Sequence, residues 1–238
     1  MKIIKPNYEI LFPMSPDQMW LSMERFGRIS HLSDNKCTGK PEDARDFVLK
    51  WAVRNNPKHS TILEAVDITV EFIHNIAIGR EALRHRVMSP MQESTRYCNY
   101  AHEKFGEDMQ FIAPLINPDT DPEAFMVWKH TMEICELAYM SLIEFKIKPE
   151  IARDVLPLAT KTKFAIHGNF NFWRDFMWKR TFKAAHPQMR ETMIRLCFDL
   201  ETSLPGMFTD ILTANVPEDD PLRLTLFSEE TDKRPLSL

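Results

Sequence analysis

Cysteine is scarce in this chain and widely scattered. Cys37, Cys98, Cys135 and Cys197 form no C-x-x-C pair and have no histidine at zinc-finger spacing. Neither a disulfide framework nor a structural metal is indicated, and reduced, mostly buried thiols are expected. Long apolar runs are missing too: none approaches the roughly 20 residues of a membrane-spanning helix. The opening Met1-Lys2-Ile3-Ile4-Lys5-Pro6 turns polar too soon for a signal peptide, so a cytoplasmic location is expected. Nor is there an excess of positive charge. A formal net charge of -4 argues against broad polyanion binding and leaves room only for a local basic site holding a small phosphorylated molecule. Internal repeats and interdomain linkers are absent as well.

What is present suffices for one sizeable core: 238 residues, 44% hydrophobic and 27% charged. Tyr8 to Phe12 reads as a short strand, and Ser15-Pro16-Asp17 supplies a cap and a first-turn proline for a helix carrying Met19, Trp20 and Met23. Pro41-Glu42-Asp43 starts another helix, with Phe47, Val48, Trp51 and Ala52 on one face and Asn55-Asn56-Pro57 ending it. Alternation over Val66 to Phe72 predicts a strand with one wet face, prolonged by the apolar stretch through Ile78 and broken by Gly79. Pro122 to Lys146 is the strongest helix signal, with an apolar stripe wide enough for two neighbours. Its Met126, Trp128, Met132 and Met140 read as core or subunit interface rather than a ligand groove. A short helix from Pro149 is stopped by Pro157, Thr160 to Ile166 suits a strand, Asn169 to Phe182 returns to helical spacing, and another helix follows Pro187. From Val216 onward, prolines and acids suggest a peripheral tail.

Chemistry concentrates between Arg80 and Arg96. Four arginines (Arg80, Arg84, Arg86, Arg96), His85 and two serines crowd behind a predicted strand, and forked donors at that density suit phosphates and planar anions. Arg84 and Arg86 point to opposite sides if extended and diverge by about 200° if helical, so two ligands can be served from one segment. On charge alone such a run is a solvated face. The order of its residues argues otherwise.

Arg84-His85-Arg86, seven residues, then Ser94-Thr95-Arg96-Tyr97 resembles the signature of the flavin-dependent, or alternative, thymidylate synthases. Further matches flank it in order. Arg28-Ile29-Ser30 resembles the family's early Arg-Val-Ser element, and His59-Ser60-Thr61 with Glu64 its histidine-containing flavin segment. Glu150-Ile151-Ala152-Arg153-Asp154-Val155-Leu156-Pro157 matches its Glu-x-x-Arg-x-x-Leu-Pro element. Asn169, Arg180 and His186-Pro187-Gln188 follow its C-terminal region more loosely, departing at Asn171, where arginine is usual, and at Asp175, where asparagine is common.

The resemblance implies a single-domain, helix-rich α+β fold over residues 1–215, a central mixed or antiparallel sheet flanked by helices, and a peripheral tail over 216–238. It implies a homotetramer with active sites assembled between subunits, which methylates dUMP to dTMP. 5,10-Methylenetetrahydrofolate would donate the carbon, and FAD reduced by NADPH the hydride, with no cysteine nucleophile. By the same match Glu81, Arg84, Gln92, Ser94, Thr95, Arg96, Arg153 and Arg180 face dUMP, with Glu150 placed to orient Arg153. His59, Thr61, Arg84, His85, Arg86, Gln92, Asn169, Asn171 and Asp175 face FAD. Arg180 is the catalytic candidate, because a fixed guanidinium at the pyrimidine edge stabilises developing negative charge. Ser94 has no histidine base beside it in sequence and is assigned to binding rather than covalency. His31, His74, His102 and His130 match nothing and default to structural or surface roles. The alternatives are a flavin-dependent pyrimidine-nucleotide hydroxymethylase, a transferase acting on dCMP, or a nucleotide-binding homologue that has lost turnover.

Overall fold

Strand alternation and asparagine caps set the frame. The computed structural model describes residues 1–97 and 109–228; Cys98, His102 and residues 229–238 of the expected tail lie outside the described residues. The chain divides into two compact units, Met1–Ile10 with Val70–Ile166, and Leu11–Thr69 with His167 onward.

In the first unit, β1 (Lys2–Ile4) pairs in parallel with β5 (Gln110–Ile112), placing Ile3 opposite Phe111. A four-stranded sheet has the order β2 (Asn7–Leu11), β3 (Asp67–Asn75), β6 (Lys161–Asn169), β4 (Ser89–Gln92). Thr69 contacts His167, while Phe72, three residues further along β3, stacks on Phe164, three residues back along β6. The two strands therefore run antiparallel. Side chains alternate as period two requires: Ile68, Val70 and Phe72 are buried, while Glu71 on the other face reaches Lys163. The Phe72 and Phe164 rings lie 4.9 Å apart at 19°, with Tyr8 at 6.4 Å from Phe72. The fold is α+β, with parallel and antiparallel pairing and a helix-rich remainder.

One boundary differs from expectation. The strand does not run through Ile78 to a break at Gly79. It stops at Asn75, whose side chain accepts from the Ile78 N–H at 2.8 Å and starts α3 (Ile76–Ala82). A satisfied N-cap outweighs apolar continuity here, because Ile76 and Ile78 are as easily buried by a helix as by a strand. Gly79 sits inside α3 for packing: a Cβ there would lie 3.2 Å from Gln92 Nε2 and 3.3 Å from Thr162 Cγ2.

α4 (Pro122–Glu144) covers the predicted long helix and ends in a Schellman closure. Lys146 adopts φ 65°, Ile147 N–H donates to Leu142 O and Lys146 N–H to Ile143 O. Met132 and Tyr139 pack with Met109, Phe111 and Ala152, and Trp128 and Met140 lean on this cluster, whereas Met126 is exposed. α5 (Pro149–Ala152) leads into a 3-10 turn, Arg153–Val155, ahead of Pro157.

In the second unit, α1 (Pro16–Ile29) begins with a capping box between Ser15 and Gln18 and buries Met19, Trp20 and Met23. α2 (Pro41–Val48) continues as a π-helical turn, Leu49–Arg54. The wider turn rotates the face: Val48 and Ala52 are fully buried as expected, but Trp51 is turned outward. α6 (Phe170–Arg180), capped by Asn169, buries Phe170, Phe172, Trp173, Phe176 and Met177. α7 (Pro187–Ser203), α8 (Thr209–Asn215) and α9 (Pro221–Ser228) complete the described chain. Within the segment expected as a tail, Val216 is fully buried and buried Asp220 pairs with Arg190 at 2.6 Å. No helix among the described residues is long and apolar enough to cross a membrane.

Candidate functional site

The arginine-rich segment leaves α3 by an unwinding turn. Arg84 and His85 N–H groups donate to Glu81 O and Ala82 O, both at 3.4 Å. Arg84 and Arg86 are exposed and His85 is half-buried. Val87 then takes φ 64°, a left-handed conformation that a β-branched side chain strongly resists. Local strain of this kind persists only where the surroundings over-determine the backbone, and it concentrates at working sites.

β4 is fastened to β6 next. Gln92 Nε2 donates to Thr162 Oγ1 at 3.2 Å. Glu93 N–H donates to Lys163 O at 2.8 Å, and the Glu93 carboxylate accepts from Lys163 N–H at 2.9 Å and Lys161 Nζ at 2.8 Å. Lys163 is held above the ordinary lysine range by its hydrogen bond to Glu71 and that carboxylate's charge. With Glu93 pinned, the following turn is presented in a fixed place. Ser94 Oγ accepts from the Arg96 N–H at 3.3 Å, and Arg153 Nη1 donates to Thr95 Oγ1 at 3.2 Å. Arg96 lies 3.5 Å from Glu150 and 5.4 Å from the Tyr97 ring centroid. Ser94, Thr95, Arg96 and Arg153 are thus brought together. Glu150 does not orient Arg153 as expected; it pairs with Arg96, because the 3-10 turn at Arg153 carries that side chain toward Thr95. A forked guanidinium beside a hydroxyl, as at Arg153 and Thr95, is the kind of donor set that suits a phosphate. The Ser94 hydroxyl accepts within its own turn.

In the second unit, a cavity of about 900 Å³ is lined by Arg28, Ser30, Lys50, Trp51, His59 and Thr61 among others. Two elements expected from separate stretches of sequence therefore share one wall. Arg28 is fixed there. Its Nε and Nη2 lie 2.8 and 2.7 Å from Glu24 Oε1, and its guanidinium sits 4.4 Å over the Phe47 ring. Trp51 meets His59 edge-on at 5.8 Å, with Lys50 Nζ 5.0 Å over the indole. Trp51 and Lys50 escaped the sequence reading because regular α-helical spacing put Trp51 on the buried face, and only the π turn brings them to the cavity.

The remaining candidates lie on or near α6. Asn169 Oδ1 accepts from Phe172 N–H at 2.9 Å and so caps the helix, while Asn171 Nδ2 donates to Glu64 Oε1 at 3.0 Å. Asp175 is exposed and pairs with Lys179 at 2.6 Å. Arg180 is the last residue of α6 and half-buried. His186 caps α7, its Nδ1 accepting from Gln188 N–H at 3.2 Å. Burial pushes the Cys197 thiol far up, so it is an inert core group.

Comparison with known proteins follows the same lines. A family model described as thymidylate synthase complementing protein matches residues 16–206. The flavin-dependent thymidylate synthase of Corynebacterium glutamicum is 29% identical over 169 residues, 64% of this chain and 64% of that protein. The chain thus spans less than two thirds of that relative's length. The enzyme of the same name from Pseudothermotoga lettingae is 28% identical over 192 residues, 80% of this chain and 84% of that protein. Among solved structures, a UMP/dUMP methylase PolB from Streptomyces cacaoi bound with 5-Br dUMP superposes with a TM-score of 0.70 at 18% identity, covering 90% of this chain and 97% of that one, and shares the fold. Since one family model takes in the arginine signature, the Arg153 element and the helix ending at Arg180, the chain belongs to the thymidylate synthase complementing protein family, the flavin-dependent thymidylate synthases.

Proposed function

We propose that this protein reductively methylates dUMP to dTMP, with 5,10-methylenetetrahydrofolate as carbon donor and FAD, reduced by NADPH, as the source of hydride. The observation that supports this reading is the bond from Arg153 to Thr95, which joins two motifs far apart in sequence at the turn carrying Ser94 and Arg96; we assign these residues to the phosphate. Glu81, Arg84 and Gln92 complete the nucleotide side.

The cavity mixes aromatic and cationic residues, Trp51 with Lys50 over its ring and Phe47 under Arg28, together with Lys36, Asp43 and Asp46, a lining we assign to a flat ring system bearing phosphates. His59 and Thr61 there would hold FAD; the family match also assigns Arg84, His85, Arg86, Gln92 and Asn169 to the flavin. Asn171 and Asp175 are assigned to FAD by the resemblance; here Asn171 engages Glu64 and Asp175 engages Lys179. Bound FAD supplies a hydride, which no side chain can provide. Arg180 presents its guanidinium to the pyrimidine edge and activates the ring by stabilising negative charge that develops on it. Ser94 and Thr95 hold the phosphate end, so the ring is oriented before reaction. The working form is a cytoplasmic homotetramer with sites shared between subunits. The exposed Val127, Ile134 and Leu137 of α4 supply apolar surface for such assembly.

A second reading keeps the phosphate grip and changes the outcome to hydroxymethylation, or the substrate to dCMP. It is favoured by Asn171 and Asp175, which engage Glu64 and Lys179 where the family has other residues. Purified protein loaded with FAD, given NADPH and methylenetetrahydrofolate, is tested on dUMP beside dCMP with products identified by mass. dTMP is expected; its absence from an FAD-loaded tetramer overturns the reading, and a hydroxymethyl product selects the second.

A further inference from the structure

The last carbonyls of an α-helix have no partner within the helix and must find one elsewhere. At the end of α6 the cap residue is Thr181, at φ -92°, and Phe182 after it does not take a positive φ, so there is no left-handed closure. Side chains from other elements do the work. Met177 O accepts from Thr181 N–H at 2.9 Å and Thr181 Oγ1 at 2.8 Å. Trp178 O accepts from Asn215 Nδ2 at 2.8 Å, which also reaches Thr181 Oγ1 at 3.0 Å. Thr181 O accepts from Arg190 Nε at 2.8 Å. Arg190 then spends its remaining donors on Asn215 O at 3.1 Å and on Asp220, at 2.6 and 3.3 Å. Thr181, Asn215, Arg190 and Asp220 are all buried. Asp220 also accepts from Leu222 N–H at 3.0 Å, so the same carboxylate starts α9.

The backbone of Arg180 is therefore flanked by two clamped carbonyls, those of Trp178 and Thr181. We propose that the buried group Thr181, Asn215, Arg190 and Asp220 is a positioning device for Arg180, and that the segment beyond Asn215 belongs to the catalytic apparatus through Asp220. This rests on the reading that Arg180 faces the pyrimidine. A fully paired buried polar network holds one geometry, and Arg190 adds positive charge where the helix dipole favours it, with Asp220 neutralising the excess. Placement near a reacting ring is steep: a displacement of about 1 Å costs on the order of a hundredfold in rate.

The test uses FAD-loaded enzyme. Asn215→Ala removes the donor to Trp178 O and leaves the Arg190–Asp220 pair in place. Flavin content, thermal midpoint, dUMP affinity from the flavin absorbance change, and kcat and KM for dUMP are measured, alone and combined with Arg180→Ala. kcat/KM for dUMP is expected to fall about tenfold at unchanged flavin content. On the Arg180→Ala background, dUMP affinity and residual rate should change by less than about twofold, because the network acts through Arg180. A lower thermal midpoint with kcat and KM unchanged overturns the inference, as does an effect that adds in full to Arg180→Ala. Should Asn215→Ala not fold, Thr181→Val, of equal volume, removes the shared hydroxyl and is read the same way. If Arg180→Ala itself leaves turnover and dUMP affinity intact, the assignment of Arg180 falls, an outcome distinct from an impaired Arg180→Ala with a silent Asn215→Ala.

Discussion

Arg153 Nη1 donates to Thr95 Oγ1 at 3.2 Å across a separation of 58 residues. The bond ties the turn at the end of the arginine signature to the start of the segment before Pro157. If Arg153 grips the phosphate as proposed, Arg153→Ala removes a charged contact worth about 1.5–3 kcal/mol, and KM for dUMP should rise roughly ten- to a hundredfold. Arg153→Lys keeps charge without the fork and should recover only part of the loss. Thr95→Val should cost about fivefold. Steady-state kinetics with varied dUMP measures all three; an unchanged KM for Arg153→Ala would remove it from the nucleotide.

Arg180→Ala should suppress turnover by about a hundredfold or more while leaving flavin content near that of the parent, since the residue is assigned to charge developing on the pyrimidine. Flavin absorbance of the purified variant and single-turnover rates separate the two. Equal loss of flavin would move Arg180 to the cofactor.

Gly79→Ala sets two effects against each other. Alanine in a helix gains about 1 kcal/mol over glycine. The new Cβ would sit 3.2 Å from Gln92 Nε2 and 3.3 Å from Thr162 Cγ2, two groups joined to each other by a hydrogen bond. Stability by denaturant titration should change by less than about 1 kcal/mol, while KM for dUMP rises because Gln92 is displaced. Unaltered kinetics would show that Gln92 yields without consequence.

Asp220 gives the acid limb of stability. Burial raises its pKa, but the hydrogen bond and charge of Arg190 outweigh this and hold the carboxyl below its ordinary 3.8. The fold therefore binds the ionised form more tightly than the unfolded chain does. That contribution is complete above the ordinary carboxylate range and is lost as pH falls from about 4 through the lowered folded value. Denaturant midpoints between pH 7 and pH 3 should drop more steeply in the parent than in Asp220→Asn, which has no such proton to take up. Parallel curves would show that the pair contributes nothing pH-dependent.

Local signals were legible where one residue decides the backbone. Ser15 and Asn169 announce helix starts, and the prolines at 122, 149 and 187 sit in first turns. The boundary at Asn75 was missed because Ile76 to Ile78 satisfies both periods, and the choice belonged to a hydrogen bond between Asn75 and Ile78 N–H. Trp51 was misplaced because a π turn adds a residue where regular spacing assumes none.

By itself the sequence determined the family, through ordered motifs from Arg28 to Gln188, and with it the kinds of side chain the site requires. Which of these meet was decided only by tertiary structure. Glu150 engages Arg96 rather than Arg153, Trp51 joins His59 at a cavity, and Asp220, in a stretch whose composition suggests a tail, pairs with the Arg190 that donates to Thr181 O just after Arg180. The physical reason is that motif spacing constrains residue type along the chain, whereas a hydrogen bond or ion pair between distant residues depends on the direction each backbone segment gives its side chain. Helix type, turn strain and the burial of unsatisfied carbonyls set that direction, and they are properties of the packed chain.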